Sequence, residues 1–110
     1  MEPAHKFYVA GVRYHELHRC IDEINEGDTL NLIPEPENKF DPNAVRIEFL
    51  SPKDKETFML GYVPAKFSAS VAAILDAVED VRCVVTKVSP KSDPWERLEV
   101  AIYEGGDEDA

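Results

Sequence analysis

Glu35-Pro36-Glu37-Asn38-Lys39-Phe40-Asp41-Pro42-Asn43-Ala44-Val45, followed downstream by Leu60-Gly61-Tyr62-Val63-Pro64, decides how this chain reads. Pro34 and Pro36 end a strand because proline cannot donate to a sheet ladder. A polar loop follows, and a second strand begins at Ala44. Phe40 beside Asp41 is the unusual pair. A ring on a turn rich in Pro and Asn has little core to enter, so one reading gives it a partner surface. Asp41 would then accept hydrogen bonds from whatever stacks on the ring. The other reading folds Phe40 under the loop as a lid, with Asp41 in an Asx turn ahead of Asn43. The local sequence leaves both open.

Outward from the loop, residues 44–50 alternate, placing Val45, Ile47 and Phe49 on one inward face. Ser51 to Glu56 reads as a solvated hairpin turn and Thr57 to Val63 as the returning strand. Pro64 then leads into a helix over 66–79, with Val71, Ile74, Leu75 and Val78 as its buried stripe. Upstream, Phe7 to Val12 is a short β-prone run in which Gly11 signals a bulge or a close backbone approach. Leu17, Cys20, Ile21 and Ile24 fall at the spacing of a short helix, and Gly27 is placed to cap it in the left-handed region. Thr29 to Ile33, Val81 to Val88 and Trp95 to Tyr103 read as further strands. Six short strands with one main helix and one short helix predict a mainly β fold, a small OB-like or SH3-like barrel. Closing such a sheet also removes exposed edges. The expected domain spans 5–103, and 104–110 reads as an acidic disordered tail.

The chain has 110 residues and is 44% apolar, which fits one globular domain. No apolar run approaches the roughly 18 residues of a membrane span, and the N-terminus lacks a signal-peptide core. Cys20 and Cys83 sit in apolar stripes and match no metal spacing, so they read as reduced core residues of a cytoplasmic protein. His15 and His18 beside Cys20 give no tetrahedral set, and neither metal nor cofactor is expected. A Gly-rich phosphate loop, a nucleophile elbow and a paired His-carboxylate signature are all missing, so the chain reads as a binding protein, not an enzyme. Net charge is −10, and without the four acids of the tail 18 acids still face 12 bases. A duplex binder working by counterion release would be basic. Any nucleic acid must therefore be held by a few contacts in a small pocket.

Taken in order, Val9-Ala10-Gly11-Val12-Arg13-Tyr14, Gly27-Asp28-Thr29-Leu30-Asn31-Leu32, the Glu35–Val45 loop and Leu60-Gly61-Tyr62-Val63-Pro64 span most of residues 5 to 103. Together they resemble the HIRAN family, found at the N-terminus of fork-remodelling helicases and as small standalone bacterial and phage proteins. The resemblance implies an OB-like barrel that captures the 3′-hydroxyl end of single-stranded DNA in repair or replication. It implies that Arg13 contacts a phosphate, that Tyr14 and Phe40 hold the terminal base between their rings, and that Asp41 accepts a hydrogen bond from the terminal hydroxyl. Tyr62 stands where the helicase members have His. Their second phosphate-contacting Lys falls near Ala65, so that role passes to Lys66.

The chemistry is coherent without the family. Base stacking works on any sequence and contributes roughly 1–3 kcal/mol per base. An ionised carboxylate only accepts hydrogen bonds, so Asp41 favours a hydroxyl over a terminal phosphate. Each residue also has a structural reading. Tyr14 would close the barrel at a strand end, and Arg13 would pair with Glu16. Tyr62 and Val63 would be core or rim, Gly61 would serve backbone packing, and Trp95 would plug the barrel, with stacking on a second base as its alternative. The expected partner is a single-stranded DNA 3′-end bound by a monomer, away from membranes. The rival is a protein-protein interaction module, an adaptor or phage or host regulatory protein, using the same pocket or the acidic surface.

Overall fold

Alternation in Val45–Leu50 is the seed of the sheet: Val45, Ile47 and Phe49 are all buried, and a computed structural model describes residues 2–105 around them. The six strands are β1 (His5–Tyr8), β2 (Thr29–Pro34), β3 (Val45–Leu50), β4 (Thr57–Tyr62), β5 (Val81–Val88) and β6 (Leu98–Glu104). They pair antiparallel in the order β1-β6-β5-β2-β3-β4. The sheet curls until its two ends meet at a single bridge, in which Ala10 and Tyr62 exchange backbone hydrogen bonds of 2.8 and 2.9 Å. Register shifts at Ile47/Glu48 and Val85/Lys87 add the local twist that such curling needs. Phe7, Val9, Leu60, Val85, Leu98, Val100 and Ile102 fill the interior.

The bridge explains Gly61. A Cβ there would lie 2.3 Å from the Ala10 carbonyl oxygen, so only glycine lets the two backbones approach, as its packing reading expected. The close approach is therefore at Gly61 and not at Gly11. Gly11 instead turns in the left-handed region (φ 72°) and ends the first strand early, sending Val12–Tyr14 into a 3-10 turn. The short helix expected from the spacing of Leu17, Cys20, Ile21 and Ile24 is broken. A four-residue α1 (Leu17–Cys20) gives way to a 3-10 turn at Ile21–Glu23, with Leu17, Cys20 and Ile24 buried beneath them. Gly27 does take the left-handed conformation (φ 92°).

The main helix α2 (Ala65–Ala77) starts and ends close to expectation, but its contact differs. Val71 and Ser68 are the buried positions, while Ile74, Leu75 and Val78 are half-buried, because the helix rests on the barrel rim at its first turns. There Phe67 stacks on Phe7, centroids 5.4 Å apart. Ser51, expected in a solvated turn, is fully buried and donates a 2.5 Å hydrogen bond to Glu23 while accepting one from the Asp54 N–H. Trp95 is not a plug. It lies in a 3-10 turn (Pro94–Glu96) outside the last strand and is 61% exposed. Of the expected acidic tail 104–110, Glu104 ends β6, Gly105 follows with φ 79°, and 106–110 lie outside the described residues. Both cysteines are buried and free, and burial pushes each thiol up to about 12. No helix among the described residues is long and apolar enough to cross a membrane.

Candidate nucleic-acid interface

The Glu35–Ala44 loop is built by its own side chains. Asn38 Oδ1 accepts the N–H groups of Phe40 and Asp41 at 2.8 and 3.0 Å. Asp41 Oδ1 accepts the Asn43 N–H at 2.8 Å, which is the Asx turn foreseen as one alternative. The lid alternative fails, because Phe40 is 96% exposed. Asp41 Oδ2 accepts the Ser68 hydroxyl at 2.8 Å, tying the loop to the first turns of α2. A carboxylate has about four lone-pair sites, so Asp41 keeps room for an incoming donor.

Glu35 anchors the base of the loop. Its Oε1 accepts from Asn38 and from the Tyr62 hydroxyl, each at 2.9 Å, and its Oε2 from Arg46 at 3.0 Å. Arg46 also pairs with Glu48 at 2.7 Å. The Asn38 hydrogen bond, with those from Tyr62 and Arg46, holds the Glu35 carboxyl below the usual range against the opposing effect of burial. Burial first, then the bond to Glu35, pushes the Tyr62 phenol above its ordinary value.

Phe40, Asp41, Asn38, Tyr62 and Ala65 line one open hollow of about 430 Å³. Tyr14 and Arg13 do not line it. Past the left-handed turn at Gly11 they border a second hollow of about 260 Å³ with Trp95. The two hollows adjoin at consecutive residues, Ala10 and Gly11, and are not one slot. Tyr14 is 74% exposed, with the Arg13 guanidinium 5.2 Å from its ring centroid. Arg13 does not pair with Glu16, which is engaged by Arg19 at 3.1 Å. Lys66 is exposed and lies 5.2 Å from the Phe67 ring.

The sequence reading missed Ser68, the anchoring role of Glu35 and Arg46, and the second hollow around Trp95. A signal existed for Ser68: with Val71 and Leu75 it falls at i, i+3 and i+7, a lone hydroxyl on an apolar stripe.

A family model described as the HIRAN domain matches residues 4–104. The Fanconi-associated nuclease 1 homolog of Oryza sativa subsp. japonica is 32% identical over 79 residues, covering 70% of this chain and 8% of that protein. A crystal structure of a protein from Lactobacillus plantarum is similar with a TM-score of 0.73 at 21% identity, covering 92% of this chain and 91% of that one. The crystal structure of the HIRAN domain of human HLTF is similar with a TM-score of 0.58 at 16% identity, covering 93% and 76%. At these identities the two solved structures establish the fold.

Proposed function

The chain belongs to the HIRAN domain family, and on that premise we propose that it binds single-stranded DNA by its free 3′-hydroxyl end. The observation that carries this reading is an almost wholly exposed ring, Phe40, beside an anchored carboxylate, Asp41, at one hollow. The terminal base stacks on Phe40 against the Tyr62 side of the hollow. Covering the other face requires Tyr14 to swing across the Gly11 turn from the adjoining hollow. Asp41 accepts a hydrogen bond from the terminal hydroxyl and repels a terminal phosphate. Arg13 and Lys66 supply one phosphate contact each, which suits a chain of net charge −10 better than a broad basic groove would. A matching segment in a rice protein named as a nuclease supports a nucleic-acid setting.

Fluorescence anisotropy at low salt tests this with one oligonucleotide ending in 3′-hydroxyl and the same strand ending in 3′-phosphate. The hydroxyl end should bind more tightly, and Asp41→Ala should remove about tenfold of that preference, as expected for one hydrogen bond to a charged group. Ser68 also donates toward the Ala65 carbonyl at 3.0 Å, so this variant leaves no buried hydroxyl stranded. Equal binding to both ends, or none, sinks the proposal. The acidic net charge favours the second reading, a protein-interaction module, which the latter result would leave in place.

A further inference from the structure

We propose a second nucleic-acid contact: a phosphodiester-binding hollow formed by Arg13, His18 and Arg97, which holds the strand on the 5′ side of the captured end. It rests on the end-capture reading above and extends it from Arg13 to His18 and Arg97, which that reading does not use. The hollow measures about 330 Å³, and no acidic residue lines it. Its floor is apolar, from Val12, Leu17 and Ile21, which suits the sugar faces of a nucleotide.

Four of the arginines separate into two groups. Arg19 pairs with Glu16 and Glu56, and Arg46 pairs with Glu35 and Glu48. Arg13 and Arg97 have no carboxylate partner among the described residues. In a chain with 22 acids and 12 Lys and Arg, two arginines without carboxylate partners lining one concave surface call for an anion. Arg97 is also pre-set for one. Its Nε donates to the Ser92 carbonyl at 2.9 Å, which fixes the stem and leaves the two terminal nitrogens for a phosphate.

Position selects a continuing strand over an isolated anion. This hollow shares Val12 and Arg13 with the Tyr14–Trp95 hollow. That hollow's Gly11 follows Ala10, which lines the hollow holding Phe40 and Asp41. The three form one track around the Gly11 turn. Its reach is about four nucleotides, the low end of site sizes for a fold of this kind.

The test compares 5′-labelled thymidine oligonucleotides of three and eight nucleotides, both ending in 3′-hydroxyl, across a salt series with the full chain. The parent should bind the longer strand more tightly. Arg97→Gln should weaken the eight-mer about tenfold and lower its salt slope by about 0.7, while leaving the three-mer unchanged. Arg97→Lys, which keeps the charge, should retain the slope. His18→Gln, at an exposed position with no hydrogen-bond partner among the described residues, should weaken only the eight-mer and covers the case in which Arg97→Gln disturbs the Ser92 loop. A parent that binds neither strand overturns end capture, and this inference with it. A parent that binds both equally, or variants that match the parent or weaken both strands alike, overturns this inference alone. Inorganic phosphate that competes for the three-mer and eight-mer equally also counts against it.

Discussion

The Ala10–Tyr62 seam and the Glu35–Ala44 loop lie next to one another, and they solve opposite problems. At the seam two backbones meet so closely that even one added carbon has no room. At the loop, Asn38, Asp41 and Glu35 collect the backbone and side-chain donors around them, and the adjoining ring is left outside. The seam is held by exclusion of volume, the loop by acceptor side chains. Sequence changes should therefore act on stability at the seam and on ligand contact at the loop tip, with Glu35 between the two.

Gly61→Ala gives the largest expected effect. Its Cβ would meet the Ala10 carbonyl oxygen at 2.3 Å and Val9 Cγ1 at 2.9 Å, and the first contact is with backbone that cannot rotate away. Overpacking of this kind should cost about 3 kcal/mol, a large share of the roughly 5–15 kcal/mol that holds a domain together. Urea unfolding measures it. A loss below about 1 kcal/mol, small for a strained core substitution, would show that the seam yields easily and would remove the distinction.

How much of this was legible depends on phase. Val45, Ile47 and Phe49 announced β3, and Gly61 its close contact, because period-two burial and a missing Cβ are local signals. Ser51 continues the same odd-numbered inward phase, so its burial was there to read, but its polar side chain hid it. Trp95 is the converse. Leu98, Val100 and Ile102 face inward on even positions, so Trp95 is out of phase and belongs to the turn. The Phe40–Asp41 pair was visible from the loop composition. What Asp41 touches was not, since Ser68 lies 27 residues away and only the docking of α2 joins them. The half-burial of Ile74 and Leu75 was likewise beyond a periodicity argument, which gives a helix its apolar face but not the breadth of surface it meets.

Glu35→Gln tests the boundary between the regions. The side chain loses its charge-assisted bond to Arg46 and weakens those to Tyr62 and Asn38, which should cost about 1.5 kcal/mol at neutral pH. The pH dependence has a definite sign. The folded carboxyl is held below its unfolded value of about 4.3, so its contribution is present above that value and fades as pH falls through the lower folded one. Tyr62 is raised in the folded state, so its part is present below about 10 and fades as pH rises through the folded value. Parent and variant unfolding curves should thus differ most across neutral pH and converge in acid. A difference that persists unchanged below the glutamate range would locate the loss elsewhere.

Phe40→Ala should change stability least and function most. With the ring 96% exposed, its removal takes almost no area from the core, so the unfolding free energy should shift by no more than about 0.5 kcal/mol. Binding of a short single strand should weaken by about 1–3 kcal/mol, the contribution of one stacked base. The two readouts must separate for the loop tip to be a contact surface and not a lid. If the variant unfolds about 1 kcal/mol or more easily, beyond the usual range for an exposed position, the ring packs in solution. If stability and binding both hold, Phe40 is exposed without touching a base, and the stacking role falls to Tyr14 and Trp95 across the Gly11 turn.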